Sequence, residues 1–159
     1  MPPEPPQITT ANWLDLGALR HLEQICFPQD AWPLLDLIAI LTAPGILRLK
    51  ATLNGQMIGF IATETKPRDP TAWIATIGVL PEYRRRGIGA ALLSAIEAQL
   101  PTPTYQHIRL SVRLSNTQAQ HLYQKFGYHR VQIWAAYYEG GEDALIMEKT
   151  LYHERNHTA

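Results

Sequence analysis

Residues 71–80 read TAWIATIGVL and are followed, after a short polar turn, by RRRGIGAALLSAIEAQL. The first run is apolar at nearly every position, the pattern of a central strand buried on both faces. In the second, Ile88, Leu92, Ile96 and Leu100 share one face of a helix that Pro101 stops. Such a strand needs helices on both sides of its sheet, and this requirement limits what the rest of the chain can build.

The remaining pattern agrees. From Asn12 to Cys26, Leu16, Leu19, Leu22 and Ile25 recur at helical spacing, and a second helical run from Leu34 to Leu41 ends before Pro44-Gly45. ILRLKATL and MIGFIATET flank Asn54-Gly55, a pair suited to a two-residue hairpin turn, so two antiparallel strands are expected there. KPRDP reads as a loop. After the long central helix come a strand at HIRLSVRL, a helix from Asn116 to Phe126 closed by Gly127, and strands at YHRVQIWAA and DALIMEKTL. The expected fold is a mixed α/β sheet of about six to seven strands flanked by about four helices. Residues 1–7, rich in proline, are expected to form a flexible arm, 8–152 a single domain and 153–159 a disordered tail.

Fourteen Lys and Arg balance fourteen Asp and Glu, so no overall field suits a polyanion, and no nucleic-acid partner is expected. The lone Cys26 excludes an internal disulfide and fits a reducing compartment. No export signal or membrane-spanning run is apparent, so a cytoplasmic protein without a membrane partner is expected, as monomer or homodimer. His153-Glu154-Arg155-Asn156-His157 spells H-E-x-x-H, but no apolar face would dock that tail and no third ligand is evident. No metal site is expected.

The dense positive cluster therefore has a local purpose. Arg84, Arg85 and Arg86 stand where a buried strand ends and a helix begins with unpaired N–H groups, a setting that attracts anions. Gly87 and Gly89 would let a phosphate approach the backbone, and the guanidinium groups would add charge-assisted donors. Read alone, the same segment is also a tight strand-to-helix connection with solvated arginines.

RRRGIGA, preceded by TIGVL, resembles the R/Q-x-x-G-x-G/A signature with which GNAT acetyltransferases bind pyrophosphate. The resemblance continues through VRLSNTQAQHLYQKFGY and YYEGGEDALIMEK and covers about half the chain, nearest to the RimI-type and related Nα-acetyltransferases. It implies the GNAT fold and acetyl-CoA-dependent transfer to a primary amine by direct attack in a ternary complex, the acceptor being the N-terminus of a protein or peptide. It further implies that backbone groups of Ile77, Gly78 and Val79 pair with the pantetheine arm. Arg84, Arg85, Arg86, Gly87, Ile88, Gly89 and Ala90 would surround the pyrophosphate, Asn116 would touch the cofactor and Tyr123 would serve as general acid. Tyr137 and Tyr138 would line a peptide groove, and Phe27 and Trp32, in CFPQDAWPLL, would form part of its wall.

Several of these residues have a second reading. Asn116 is a good helix N-cap, Tyr123 could fill an amphipathic face beside Leu122 and Phe126, and Tyr137-Tyr138 could be an ordinary strand pair. Asn116 and Tyr123 are seven residues apart, about two helical turns, and so share a face. The general base is where the chain departs from the family: Ser111 stands at the position of a Glu or His. Ser111 would at most hold a water, and Glu64 is a candidate substitute base or else a solvated strand end. A third option is an amine neutral before binding, which suits an α-amine with a pKa of about 8 better than a lysine near roughly 10.4. Cys26 is expected to be a small buried hydrophobe. Rival functions are acetylation of a small amine and a non-catalytic CoA-binding module.

Overall fold

The computed structural model describes residues 2–151; the H-E-x-x-H pentapeptide and the expected tail lie outside them. The elements in chain order are β1 (Gln7–Thr10), α1 (Leu16–Cys26), α2 (Leu34–Thr42), β2 (Ile46–Leu53), β3 (Gln56–Glu64), β4 (Thr71–Val79), α3 (Ile88–Ala98), β5 (His107–Arg113), α4 (Thr117–Lys125), β6 (His129–Trp134) and β7 (Ala144–Thr150). They form one seven-stranded sheet in the order β1-β2-β3-β4-β5-β7-β6. Only β4 and β5 run parallel; the other neighbours are antiparallel.

Strand β1 has no counterpart in the sequence pattern. Its four residues, QITT, carry no alternation, and they are held by pairing with Leu49–Thr52 of β2, a contact that local sequence does not encode. Gln7, placed in the expected arm, is its first residue. The first helix also starts differently from its periodicity. Asn12 accepts from the Leu14 amide at 2.9 Å and donates its own amide to Asp15 at 2.9 Å, which caps a 3-10 turn at Trp13–Asp15 before α1 begins.

Within α1 the inward side is Leu19, Leu22 and Glu23, whereas Ile25 is 41% exposed. A carboxylate thus occupies a place in the buried stripe. Packing at two glycines shows how the layers are arranged. A Cβ on Gly59 of β3 would meet Leu92 and Ile88 of α3 at 3.1 and 3.2 Å, and one on Gly78 of β4 would meet Leu22, Cys26 and Phe27 at 3.1 to 3.3 Å. Helix α1 therefore covers one face of the sheet and α3 the other, both too close for larger residues. Phe60, Ile58, Ile61, Leu92, Leu93 and Ile96 are among the side chains that fill the core.

The feature that creates the site is a seam in this sheet. Strands β4 and β5 pair only at Thr71 with His107, Ala72 with Ile108 and Trp73 with Arg109, yet β4 continues to Val79 and β5 to Arg113. On its other edge β4 has one residue too many: Ile74 pairs with Thr63 and Thr76 with Ala62, leaving Ala75 between them. A bulge of this kind bends and twists the strand that carries it, and here it coincides with the parting of the two strands. The opposite edge of β5 stays zipped to β7 along all seven of its residues. Strand β4 is central, as its apolarity predicts, but it is fully buried on one face only: Ala72, Ile74, Thr76 and Gly78 are buried, whereas Thr71, Trp73, Ala75, Ile77 and Val79 on the other face are half-buried.

Candidate active site

The opened seam holds a cavity of about 470 Å³. One wall is the α1–α2 loop with Phe27, Asp30 and Trp32, and the floor is Ile74–Ile77 of β4 facing Leu110–Arg113 of β5. Helix α4 contributes Asn116, Ala119 and Tyr123, and the β6–β7 loop contributes Tyr137, Tyr138 and Glu139. Eight residues expected at the site from sequence therefore converge: Phe27, Trp32, Ile77, Ser111, Asn116, Tyr123, Tyr137 and Tyr138. Gly78 and Val79 continue the same strand to its exit.

Glu64 does not join them. The β2–β3 hairpin carries it to the closed end of the seam, where it pairs with Trp73 and is exposed, and it does not line the cavity. Trp73 and Val79 are six residue steps apart along β4, about 20 Å of strand. The expectation of a substitute base there is corrected by this topology.

Beyond Val79 the chain makes a 3-10 turn at Pro81–Tyr83 and enters the arginine-glycine loop. The three arginines are not equivalent. Arg84 turns back, its Nε donating to the Val79 carbonyl at 2.9 Å, where the Cys26 thiol also points at 3.4 Å. Arg86 lies over the Tyr83 ring at 5.3 Å, and Arg85 holds a left-handed conformation with φ of 62°. Gly87, with φ of 77°, is the N-cap of α3 and supplies no capping side chain. The Ala91 amide is the first to bond back, to the Gly87 carbonyl at 2.9 Å, so the amides of Ile88, Gly89 and Ala90 lack intrahelical acceptors. A Cβ on Gly87 would meet nothing, in keeping with a backbone open to an anion. Gly89 has a different reason to be small: a Cβ there would come within 3.3 Å of Leu122, so it lets α3 and α4 pack.

Asn116 is the N-cap of α4, accepting from the Ala119 amide at 3.1 Å, and it also lines the cavity; the two roles use one side chain. Tyr123 is 7% exposed and packs edge-on to Tyr128, with centroids 6.0 Å apart. Burial, with the neighbouring Tyr138 adding to it, raises the Tyr123 pKa, so its phenol holds its proton at neutral pH. Tyr138 donates from its hydroxyl to Ser111 Oγ at 3.2 Å. Ser111 is thereby fixed on the cavity floor, but it carries no group able to take a proton at neutral pH.

The sequence did not point to the side chains that tie the acceptor wall together. Arg113 donates from Nε and Nη2 to both oxygens of Asp30, at 2.6 and 2.7 Å, and from Nη1 to Glu142 at 2.8 Å. Its guanidinium also lies 4.7 Å over the Tyr138 ring. One arginine thus clamps the α1–α2 loop, β5 and the β6–β7 loop. Hydrogen bonds from Ser115 and from the Arg113 guanidinium hold the Glu142 carboxyl down at about 2.

The second such group is Glu23, 1% exposed, which accepts a hydrogen bond from Thr76 Oγ1 at 2.6 Å. Its Oε2 has no hydrogen-bond partner. Burial raises the Glu23 pKa against the opposing pull of the Thr76 hydroxyl and, more loosely, the Trp32 amide. Among the described residues, no cluster of three or more His, Cys, Asp or Glu side chains could hold a metal ion, and no helix is long and apolar enough to cross a membrane.

Known proteins share this architecture. The model of the acetyltransferase (GNAT) family matches residues 16–128. The [ribosomal protein bS18]-alanine N-acetyltransferase of Escherichia coli (strain K12) is 33% identical over 88% of this chain and 94% of its own. An N-alpha-acetyltransferase of Saccharolobus solfataricus is 39% identical over 91% of this chain and 92% of its own. The crystal structure of the ribosomal-protein-S18-alanine N-acetyltransferase from E. coli superposes with a TM-score of 0.84, covering 97% of this chain and 99% of that one at 29% identity. With the opened seam, the glycine loop and the family match over most of its length, the chain belongs to the GNAT acetyltransferases.

Proposed function

We propose that the protein transfers an acetyl group from acetyl-CoA to the α-amine at the N-terminus of a protein or peptide, by direct attack with both substrates bound. The observation that carries this reading is the cavity through the β4–β5 seam. It is walled by aromatic side chains of the α1–α2 and β6–β7 loops and also reaches Asn116 and Tyr123 of α4. An acceptor and a thioester can therefore enter from different sides and meet where the strands part.

Acetyl-CoA supplies the activated acyl thioester. The residues fit it in three respects. Unbonded amides at the start of α3, with Arg85, Arg86 and Gly87, form the concave positive surface that a diphosphate needs, while Arg84 steadies the strand end beside it. The edge of β4 at Ile77, Gly78 and Val79, unpaired with β5, offers backbone groups to an extended pantetheine arm, the Val79 carbonyl excepted because Arg84 and Cys26 already donate to it. The side-chain amide nitrogen of Asn116 is a further donor, since its oxygen serves the helix cap.

Tyr123 is the general acid, its proton held by burial until negative charge gathers on the departing sulfur. Phe27, Trp32, Tyr137 and Tyr138 hold the first residues of the acceptor, and Glu139 at the rim favours an incoming ammonium. Ser111, anchored by Tyr138, holds a water beside the amine. The aromatic side chains of the wall suit a peptide, and because Asp30 is already paired with Arg113, Glu139 is the one lining carboxylate left for a cation, too few for a polyamine. The same reading places the protein in the cytoplasm as monomer or homodimer, with no nucleic-acid or membrane partner.

Steady-state turnover with a panel of amino-terminal peptides against small amines tests it. Peptides with a free α-amine should be acetylated and the same peptides with that amine blocked should not. Preference for small amines would contradict the acceptor assignment. Firm CoA binding with no turnover on any acceptor would mark a binding module, the reading that Ser111 motivates.

A further inference from the structure

An α-ammonium must lose a proton before its nitrogen can attack, and Ser111 cannot take it. The cavity floor offers one hydroxyl that leads to a buried carboxylate. Thr76 lines the cavity on β4, and its Oγ1 donates at 2.6 Å to Oε1 of Glu23, which lies behind it on α1. The other carboxylate oxygen has no hydrogen-bond partner although the residue is 1% exposed. Leaving a buried carboxylate half satisfied is costly, and a core position on α1 would be filled more favourably by leucine, as at Leu19 and Leu22.

We propose that Glu23, acting through Thr76, is the proton acceptor for the incoming amine; the inference rests on the acceptor reading above. The ammonium gives one proton to Thr76 Oγ as the hydroxyl passes its own proton to Glu23 Oε1. The nitrogen lone pair then forms the N–C bond while the C–S bond breaks, and Tyr123 protonates the sulfur. The second nitrogen proton, released as the amide forms, restores Tyr123. The first returns from Glu23 through Thr76 to water once product leaves. Protons balance: the ammonium loses two, one ending on the thiol and one in solvent.

The surroundings of Glu23 suit this role. Thr76 faces it from β4 and Trp32 from the α1–α2 loop; on α1 itself Arg20 and His21 are exposed, and Cys26, about one turn on, has its thiol pushed up mainly by burial and slightly by Glu23. Among the described residues no cation forms an ion pair with Glu23 from α2, β3 or β4. A carboxyl whose pKa burial raises is better matched to an amine than a solvated one.

The test is the pH dependence of kcat/KM on a peptide acceptor for the wild type and for Glu23→Gln, Thr76→Val and Thr76→Ser. Without the relay, only the neutral amine reacts. With an α-amine pKa of about 8, Glu23→Gln should be about tenfold slower at pH 7 and should recover to near wild-type rates by about pH 9. Thr76→Val should show the same pH-dependent deficit and Thr76→Ser should not. Stability gives an independent sign. A carboxyl whose folded pKa is raised favours folding when neutral and loses that contribution as pH climbs above its unfolded value of 4.5. Glu23→Gln should therefore gain Tm relative to the wild type as pH rises from about 4.5 into the neutral range.

A deficit of equal size at every pH would show a merely structural role and overturn the proposal. So would wild-type profiles for both Glu23→Gln and Thr76→Val. If Glu23→Gln does not fold, the Thr76 pair decides alone. A wild type inactive on every peptide would overturn the proposed function together with this inference, whereas an active wild type matched by both variants would overturn this inference only.

Discussion

The two sides of the opened seam are built in opposite ways. The proposed cofactor side is nearly contiguous: strand β4, the arginine-glycine loop and α3 follow one another from Thr71 to Ala98, and the donors it offers are main-chain amides at the start of α3. The acceptor side is assembled from side chains far apart in sequence. Arg113 meets Asp30 across 83 residues, Thr76 meets Glu23 across 53 and Tyr138 meets Ser111 across 27. A backbone cradle tolerates many side chains around it, whereas a side-chain clamp fails when one member is lost.

The largest effect should come where the two sides meet. Tyr123→Phe should lower kcat about 100-fold, the lower range for loss of a general acid, while calorimetric CoA affinity stays at the wild-type value. Unchanged turnover would remove the phenol from the chemistry. On the acceptor side, Arg113→Met leaves Asp30 without its bidentate partner and frees the α1–α2 loop. The peptide KM should rise about tenfold, a loss of roughly 1.4 kcal/mol of binding, with CoA affinity unaltered. Equal changes in both would show that the clamp does not belong to one side.

Smaller effects separate the two glycines of the loop. Gly89→Val should lower stability by about 1–3 kcal/mol, because its side chain meets Leu122 and Val79 before it meets any ligand. Gly87→Ala has space but not the backbone preference, and a left-handed alanine should cost about 1 kcal/mol. Chemical denaturation of the two variants beside CoA titration tests the division: Gly89→Val should be read mainly in stability, and a loss of affinity alone would restore its role as a phosphate contact. The mildest perturbation is acid. Glu142 has its folded pKa depressed to about 2 from 4.5, so its contribution to the clamp is present above 4.5 and is lost as pH falls toward 2. The Tm advantage of the wild type over Glu142→Gln should be constant from neutral pH to about 4.5 and decline between about 4.5 and about 2.

This contrast explains what could be read from the letters. Two glycines, three arginines and the apolar strand before them predict a strand, a tight turn and a helix start with open amides because those features are local, whereas the packing of Gly89 against Leu122 of α4 is not. Asn116 and Tyr123 could be paired for the same reason, being two turns apart on one helix. Strand β1 could not be read, since QITT becomes a strand only against β2. Glu64 was misjudged because hairpin pairing, not distance along the strand, decides which end of the seam it reaches. Asp30 and Arg113 are ordinary charges until the fold brings them together. Glu23 carries a faint signal, a carboxylate flanked by Leu22 and Leu19 on an inward helical face, which the Leu16-Leu19-Leu22-Ile25 stripe concealed. The bulge at Ala75, where the seam opens, leaves no mark in the composition of β4 at all.

A crystal structure with a conjugate joining CoA to an amino-terminal peptide tests the two-sided arrangement most directly. The expected complex has the diphosphate on the amides of Ile88–Ala90, the sulfur within hydrogen-bond reach of Tyr123 and the peptide between Trp32 and Tyr138 with its nitrogen beside Thr76. A conjugate whose peptide and nucleotide parts both leave the seam on the α3 side, or whose sulfur lies away from Tyr123, would contradict it.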